Sequence, residues 1–147
     1  MELKDLLPGI IGSFVGVMGW LLVGLYIQRR QFVRQARNAA KAVYFELEVN
    51  RVAVSVALDQ GSFTSLNRAS FERLLPELAT LLSAADLKAV VGAYMAHAGY
   101  EQLSTDPGLP TEVRRRALTE ITGLHDAALA CLARRAFNGD ELRRLAS

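Results

Sequence analysis

Cysteine occurs once, at Cys131, and histidine twice, at His97 and His125. A lone cysteine excludes an internal disulfide and fits a reducing compartment. Neither histidine has a second His, Cys or carboxylate at metal-ligand spacing on its helical face, so no zinc signature arises. Asp126 adjoins His125, but neighbours on a helix point apart. Each histidine therefore reads as a surface or boundary residue. No glycine-rich phosphate loop and no nucleophile elbow is present. Aromatics make up 7% of the chain and do not interleave with the basic residues, which argues against nucleic acid as a partner. Catalytic, cofactor and metal residues are accordingly assigned as none, and the chain reads as non-enzymatic. Cys131 reads as a small buried hydrophobe, Glu46, Glu48 and Glu101 as scattered surface charges, and Tyr94 and Met95 as core.

Charge of one sign is missing from one stretch. Between Gln28 and Tyr44 the chain carries Arg29, Arg30, Arg34, Arg37 and Lys41 and no acid. From Ala42 onward 13 acidic residues exceed 11 basic ones, so the formal net charge of +2 hides a local positive collar. Arginine outnumbers lysine and alanine is abundant, a compositional hint of a GC-rich bacterial genome.

Immediately before the collar lies a run with no charge at all, Ile10 to Ile27. With Leu6 to Gly9 it reaches about 22 residues, which at about 1.5 Å each would span a hydrocarbon core of roughly 30 Å. We read it as a transmembrane helix. The positive charge follows the run rather than preceding it, and no Ala-x-Ala site comes after, which disfavours a cleaved signal peptide. The positive-inside rule then sets the N-terminus outside and the rest in the cytoplasm of a cell (inner) membrane protein. Inside the run Gly9, Gly12, Gly16 and Gly19 fall within an arc of about 80°, a packing stripe of small residues for a neighbouring helix. The collar reads as a membrane-surface feature, either a topology signal or a lipid contact.

Beyond the membrane run no Gly or Pro interrupts the chain until Gly61, so one helix is expected to continue to Asp59. Phe32, Ala36, Ala39, Ala40, Val43, Leu47, Val54 and Leu58 line one face, with Asn50 in its middle. Asn50 either fixes register or bonds a nearby backbone. A second apolar line, Phe45, Val49, Val52 and Val56, marks a helix-helix interface with Asn50 beside it. A helix starting between Ser65 and Ser70 is expected either to kink at Pro76 or, the preferred reading, to end near Leu75 with a new helix beginning at Pro76. Ser83 and Asp86 resemble a capping box. Leu87, Val90, Val91, Tyr94, Met95 and Ala98 form the face of the next helix. Thr105 to Pro110 is a loop. Thr111 caps a helix to about Phe137 with Val113, Ala117, Leu118, Ile121, Leu124, Ala128, Cys131 and Leu132 inward. Asn138-Gly139 stops it, and Asp140 to Leu145 add a short final helix.

The fold class is all-α: one N-terminal transmembrane helix followed by a cytoplasmic bundle of about four helices. Its parts are residues 1–28 (flank and span), 29–44 (basic juxtamembrane helix) and 45–147 (helical domain). The expected function is a membrane-anchored interaction or scaffold module whose partners are the lipid bilayer and a protein, through self-association. The alternatives are an accessory subunit of a larger membrane complex and a membrane-active phage or toxin-type protein.

Overall fold

The computed structural model describes the backbone of residues 3–145 and the side chains of residues 13–145. Five helices follow one another: α1 Leu3–Gln60, α2 Ala69–Leu81, α3 Ala84–Thr105, α4 Thr111–Ala136 and α5 Gly139–Leu145. No strand occurs among the described residues. The chain divides into two compact units, residues 1–35 and 36–147.

In the first unit every described side chain is exposed. Among the described residues no helix is long and apolar enough to cross a membrane. The described part of the expected span, Ser13–Ile27, falls short of the ~20 residues a bilayer needs. Ile10, Ile11 and Gly12 lie outside the described side chains, as does Gly9. The described residues therefore do not themselves carry the transmembrane assignment.

The second unit is a helical bundle built on the face that α1 was expected to bury. Of the expected line Ala36, Ala39, Ala40, Val43, Leu47 and Val54 are all buried, and Ala57 joins them, whereas Leu58 is only half-buried at the edge of the core. Phe32, placed on the same line, is 54% exposed and belongs to the first unit. Three alanines at the start of the face let neighbouring helices approach closely. Ala40, Val43 and Leu47 meet Phe71 and Leu78 of α2, Val90 and Tyr94 of α3, and Leu129 and Leu132 of α4 in one core. A second core joins Val54, Ala57, Leu66, Tyr100, Leu118 and Ile121. Each fully buried Leu or Val contributes about 1.5–3 kcal/mol.

Helix α1 ends where Gly61 takes φ +70° and donates its N–H to the Ala57 carbonyl at 3.0 Å, a left-handed cap that glycine adopts without Cβ strain. The expected break at Pro76 does not occur, since α2 runs through it from Ala69 to Leu81. Pro76 and Glu72, four residues earlier, are both exposed. The carbonyl that loses its partner thus sits on the wet side, where water can satisfy it. Ser83 does cap α3, accepting from the Asp86 N–H at 3.2 Å. Thr111 is the first residue of α4 rather than its cap; Pro110 precedes it and no side-chain cap bond forms. Helix α5 is well fastened: Asn138 Oδ1 accepts from the Glu141 N–H while Glu141 Oε2 accepts from the Asn138 N–H, each at 2.8 Å.

Two helix faces are rotated from the expected ones. On α3 the inward residues are Asp86, Val90, Ala93, Tyr94, His97 and Tyr100, whereas Met95 is 73% exposed. On α4 His125, Leu129 and Ala136 turn inward, and Val113 and Leu124 turn out at 52% and 44% exposure. The expected faces were drawn through apolar residues only, and the true ones pass through histidine.

Candidate functional site

The first unit presents an apolar helix surface. From Phe14 to Ile27 every large side chain is open, including Trp20 at 78%, Phe14 at 67% and Tyr26 at 65%. Large apolar surfaces of this kind mark contact with lipid or with another protein. Added Cβ atoms at Gly16 and Gly19 would meet nothing within 4 Å, so that side of the helix is also open. Arg29, Arg30 and Arg34 follow directly, all exposed.

In the second unit Arg37 is exposed, whereas Lys41 is engaged. Lys41 Nζ reaches Glu141 Oε1 at 2.5 Å and lies 5.2 Å from the centroid of the Phe137 ring. Lys41 bonding holds the Glu141 carboxyl below its ordinary range, with the Asn138 backbone and Arg37 adding to the effect. The second apolar line stays uncovered: Phe45 is 50%, Val49 67% and Val52 54% exposed, with Val56 half-buried. Phe45 still stands edge-on to Tyr44 and Phe137, at centroid distances of 5.4 and 6.0 Å. Asn50 does not belong to this surface. It is buried, accepting from the Asn67 N–H at 2.8 Å and donating Nδ2–H to the Asn67 carbonyl at 2.6 Å. The side-chain amide thus pairs with both main-chain groups of one residue, Asn67, and pins the 61–68 loop to α1.

The polar centre of this unit was not legible as a site. Glu46, expected on the surface, is buried and accepts three hydrogen bonds. They come from the Ser70 N–H at 2.7 Å, the Phe71 N–H at 3.1 Å and the Tyr94 hydroxyl at 2.8 Å. The carboxylate thus serves as the N-terminal cap of α2, which Arg68 does not supply. Burial first, and the Glu46 contact second, push the Tyr94 phenol above its usual range. The Tyr94 ring also stacks on Phe71 at 4.1 Å.

Beside this cap His97 and His125 face each other, at 2% and 0% exposure, with their Nε2 atoms 3.2 Å apart. The expected surface position is wrong for both. Burial lowers each ring's pKa to about 4; the His125 and Arg68 charges add to the effect at His97, and Arg51 adds at His125. Glu46 opposes at His97, and Asp126 and the Ala93 carbonyl oppose at His125. Both rings are therefore neutral at pH 7, one Nε2–H donating to the other lone pair. Neither Nδ1 has a partner within hydrogen-bond geometry. Among the described residues no group of three His, Cys, Asp or Glu side chains could hold a metal ion.

At the outer end of α4, Asp86 bonds Arg134 and Arg135, each at 3.3 Å. Ser83 first, with Cys131 and Arg135, lowers the Asp86 carboxyl below its ordinary range. Cys131 is half-buried rather than buried; burial and Asp86 raise its thiol pKa, so it is a poor nucleophile. A cleft of about 590 Å³ between α3 and α4 is lined by Ala96, Gly99, Leu103, Ala117, Ile121 and Leu124, among others. Gln102, Thr105, Asp106 and Glu120 supply its polar rim. Comparison of the chain with protein families, curated proteins and solved structures finds no match.

Proposed function

We propose that the chain is a non-catalytic interaction module held to a membrane by one span, residues 10–27, with its helical domain on the cytoplasmic side. The observation that carries this reading is the apolar surface from Phe14 to Ile27, exposed on all sides of one helix and free of charge. A helix apolar all round is stable only when something apolar surrounds it, and hydrocarbon does so without any shape match. Ile10 and Ile11 extend the uncharged sequence toward the length a bilayer requires. The arginines on one flank set the orientation.

The module's working surface on this reading is the open line Phe45, Val49, Val52 and Val56, at 4-3-4 spacing, the seam pattern of paired helices. A second copy would place like against like on it, with the open Gly16 and Gly19 side giving close approach inside the lipid. Alkaline extraction of membranes tests the anchor, and a reporter fused after Ser147 tests the orientation. Retention in the pellet with a cytoplasmic reporter signal supports the reading. Release into the supernatant, or a signal from the outer side, overturns it. Crosslinking in native membranes tests the pairing, and a monomer-only pattern counts against it.

A further inference from the structure

We propose that Arg29, Arg30 and Arg34 bind the phosphate groups of anionic phospholipids, so that the chain gathers acidic lipid around its anchor. The inference rests on the anchor reading above and adds the chemistry of the lipid. Its first support is the absence of any acidic residue between Leu6 and Phe45, which leaves these cations without a carboxylate nearby in sequence.

The second support is a contrast in pairing. Arg51 bonds Glu48 at 2.7 Å, Arg68 bonds Glu72 at 2.6 Å, and Arg115 bonds Glu112 at 3.0 Å. Arg134 and Arg135 converge on Asp86, and Lys41 is taken by Glu141. Among the described residues Arg29, Arg30 and Arg34 are exposed and have no such partner. Most arginines of the bundle are thus paired, Arg37 and Arg73 excepted, whereas among the described residues none of the three that follow the apolar segment is.

The third support is their arrangement and chemistry. Arg30 and Arg34 lie four residues apart on α1, hence one above the other on one side, and Arg29 points another way. A pair spaced by one turn can share a phosphate or take two adjacent ones. All three are arginine, whose planar fork of donors matches a phosphate through two parallel bonds, where lysine offers only a point charge. A topology signal alone would need positive charge of either kind.

Trp20 supplies the probe, being the chain's only tryptophan and 78% exposed in the same unit. The full chain is reconstituted in vesicles of mixed composition, and Trp20 quenching by brominated phosphatidylglycerol is compared with that by brominated phosphatidylcholine. The wild-type chain should favour the anionic lipid, and the preference should weaken as salt is raised. Each Arg→Gln change should reduce the ratio by at most about fivefold, and the triple variant R29Q/R30Q/R34Q should bring it close to one. The triple Arg→Lys variant should retain part of the preference. Equal quenching by both lipids in the wild type, with Trp20 inside the bilayer, overturns this inference and leaves the anchor intact. A preference that survives in the Gln variant overturns it as well. Absence of quenching by either lipid overturns the anchor and the lipid inference together. Arginine-dependent binding of a single-stranded oligonucleotide, without lipid preference, would assign the three residues to nucleic acid instead.

Discussion

His97 Nε2 and His125 Nε2 stand 3.2 Å apart in the core, and the single proton between them joins α3 to α4. Unfolded, each ring would titrate near 6.5, but folded it does so near 4. The folded state therefore binds fewer protons than the unfolded chain between those values, and stability must fall as pH drops. The contribution is fully present above pH 6.5 and is lost by about pH 4. It amounts to no more than about 3.4 kcal/mol per ring. Denaturant titrations of the full chain in mild detergent at stepped pH should show this loss. The double variant H97L/H125L should flatten it, and an unchanged acid slope in that variant would place the titration elsewhere.

Glu46 holds the start of α2 and the hydroxyl of Tyr94 at once. Removing the carboxylate by Glu46→Ala leaves two backbone donors and a phenol without an acceptor, at a cost of about 2–4 kcal/mol. Glu46→Gln keeps an acceptor oxygen and should cost less, and Tyr94→Phe least of all, about 1 kcal/mol. Thermal melts of the three variants should rank in that order. Equal melting temperatures for E46A and wild type would remove the cap from the account.

These two pairs also explain how far the sequence could be read. The inward line of α1, Ala36 through Val54, was legible because its apolar residues repeat at helical spacing, and that period needs no partner to be seen. Glu46 sits on the same helix, yet its acceptors' partners lie 24, 25 and 48 residues away. Nothing local distinguishes it from Glu48, which pairs on the surface with Arg51. His97 and His125 were not legible for the same reason, since each has its polar partner in the other, 28 residues away. Asn50 was intermediate: a polar residue in an apolar line announced a role, while its partner, the main chain of Asn67, needed the fold. Pro76 left one helix and two both open in sequence, and one helix is tolerated because the freed carbonyl faces water. The apolar run and the collar were legible as a pattern, and their role in a membrane remains the proposal argued above.

Gly61 closes α1 with φ +70°, the only positive φ among the described residues. A Cβ there would meet no neighbouring atom within 4 Å, so the cost of Gly61→Ala is conformational, about 1 kcal/mol. Gly61→Asn should recover part of it, since asparagine tolerates the left-handed region. Matched denaturant midpoints for wild type, G61A and G61N check the order. A stabilised G61A would mean that the helix simply runs on past Gln60.

Val49 and Val52 are exposed to 67% and 54%, and neither supports the core of its own unit. Replacing them with Asp should therefore change the stability of the isolated chain by no more than about 0.5 kcal/mol. If copies pair along this line, the same changes put four like charges into one seam and should abolish the crosslinked dimer. The two measurements separate the cases. Loss of crosslinking at constant melting temperature assigns the valines to a contact surface. Persistence of the dimer in V49D/V52D, together with its loss in a Gly16→Leu/Gly19→Leu chain, would move the pairing to the glycine side. That result would leave the Phe45–Val56 line for a different protein, because an apolar strip of that spacing is stable in water only if something covers it.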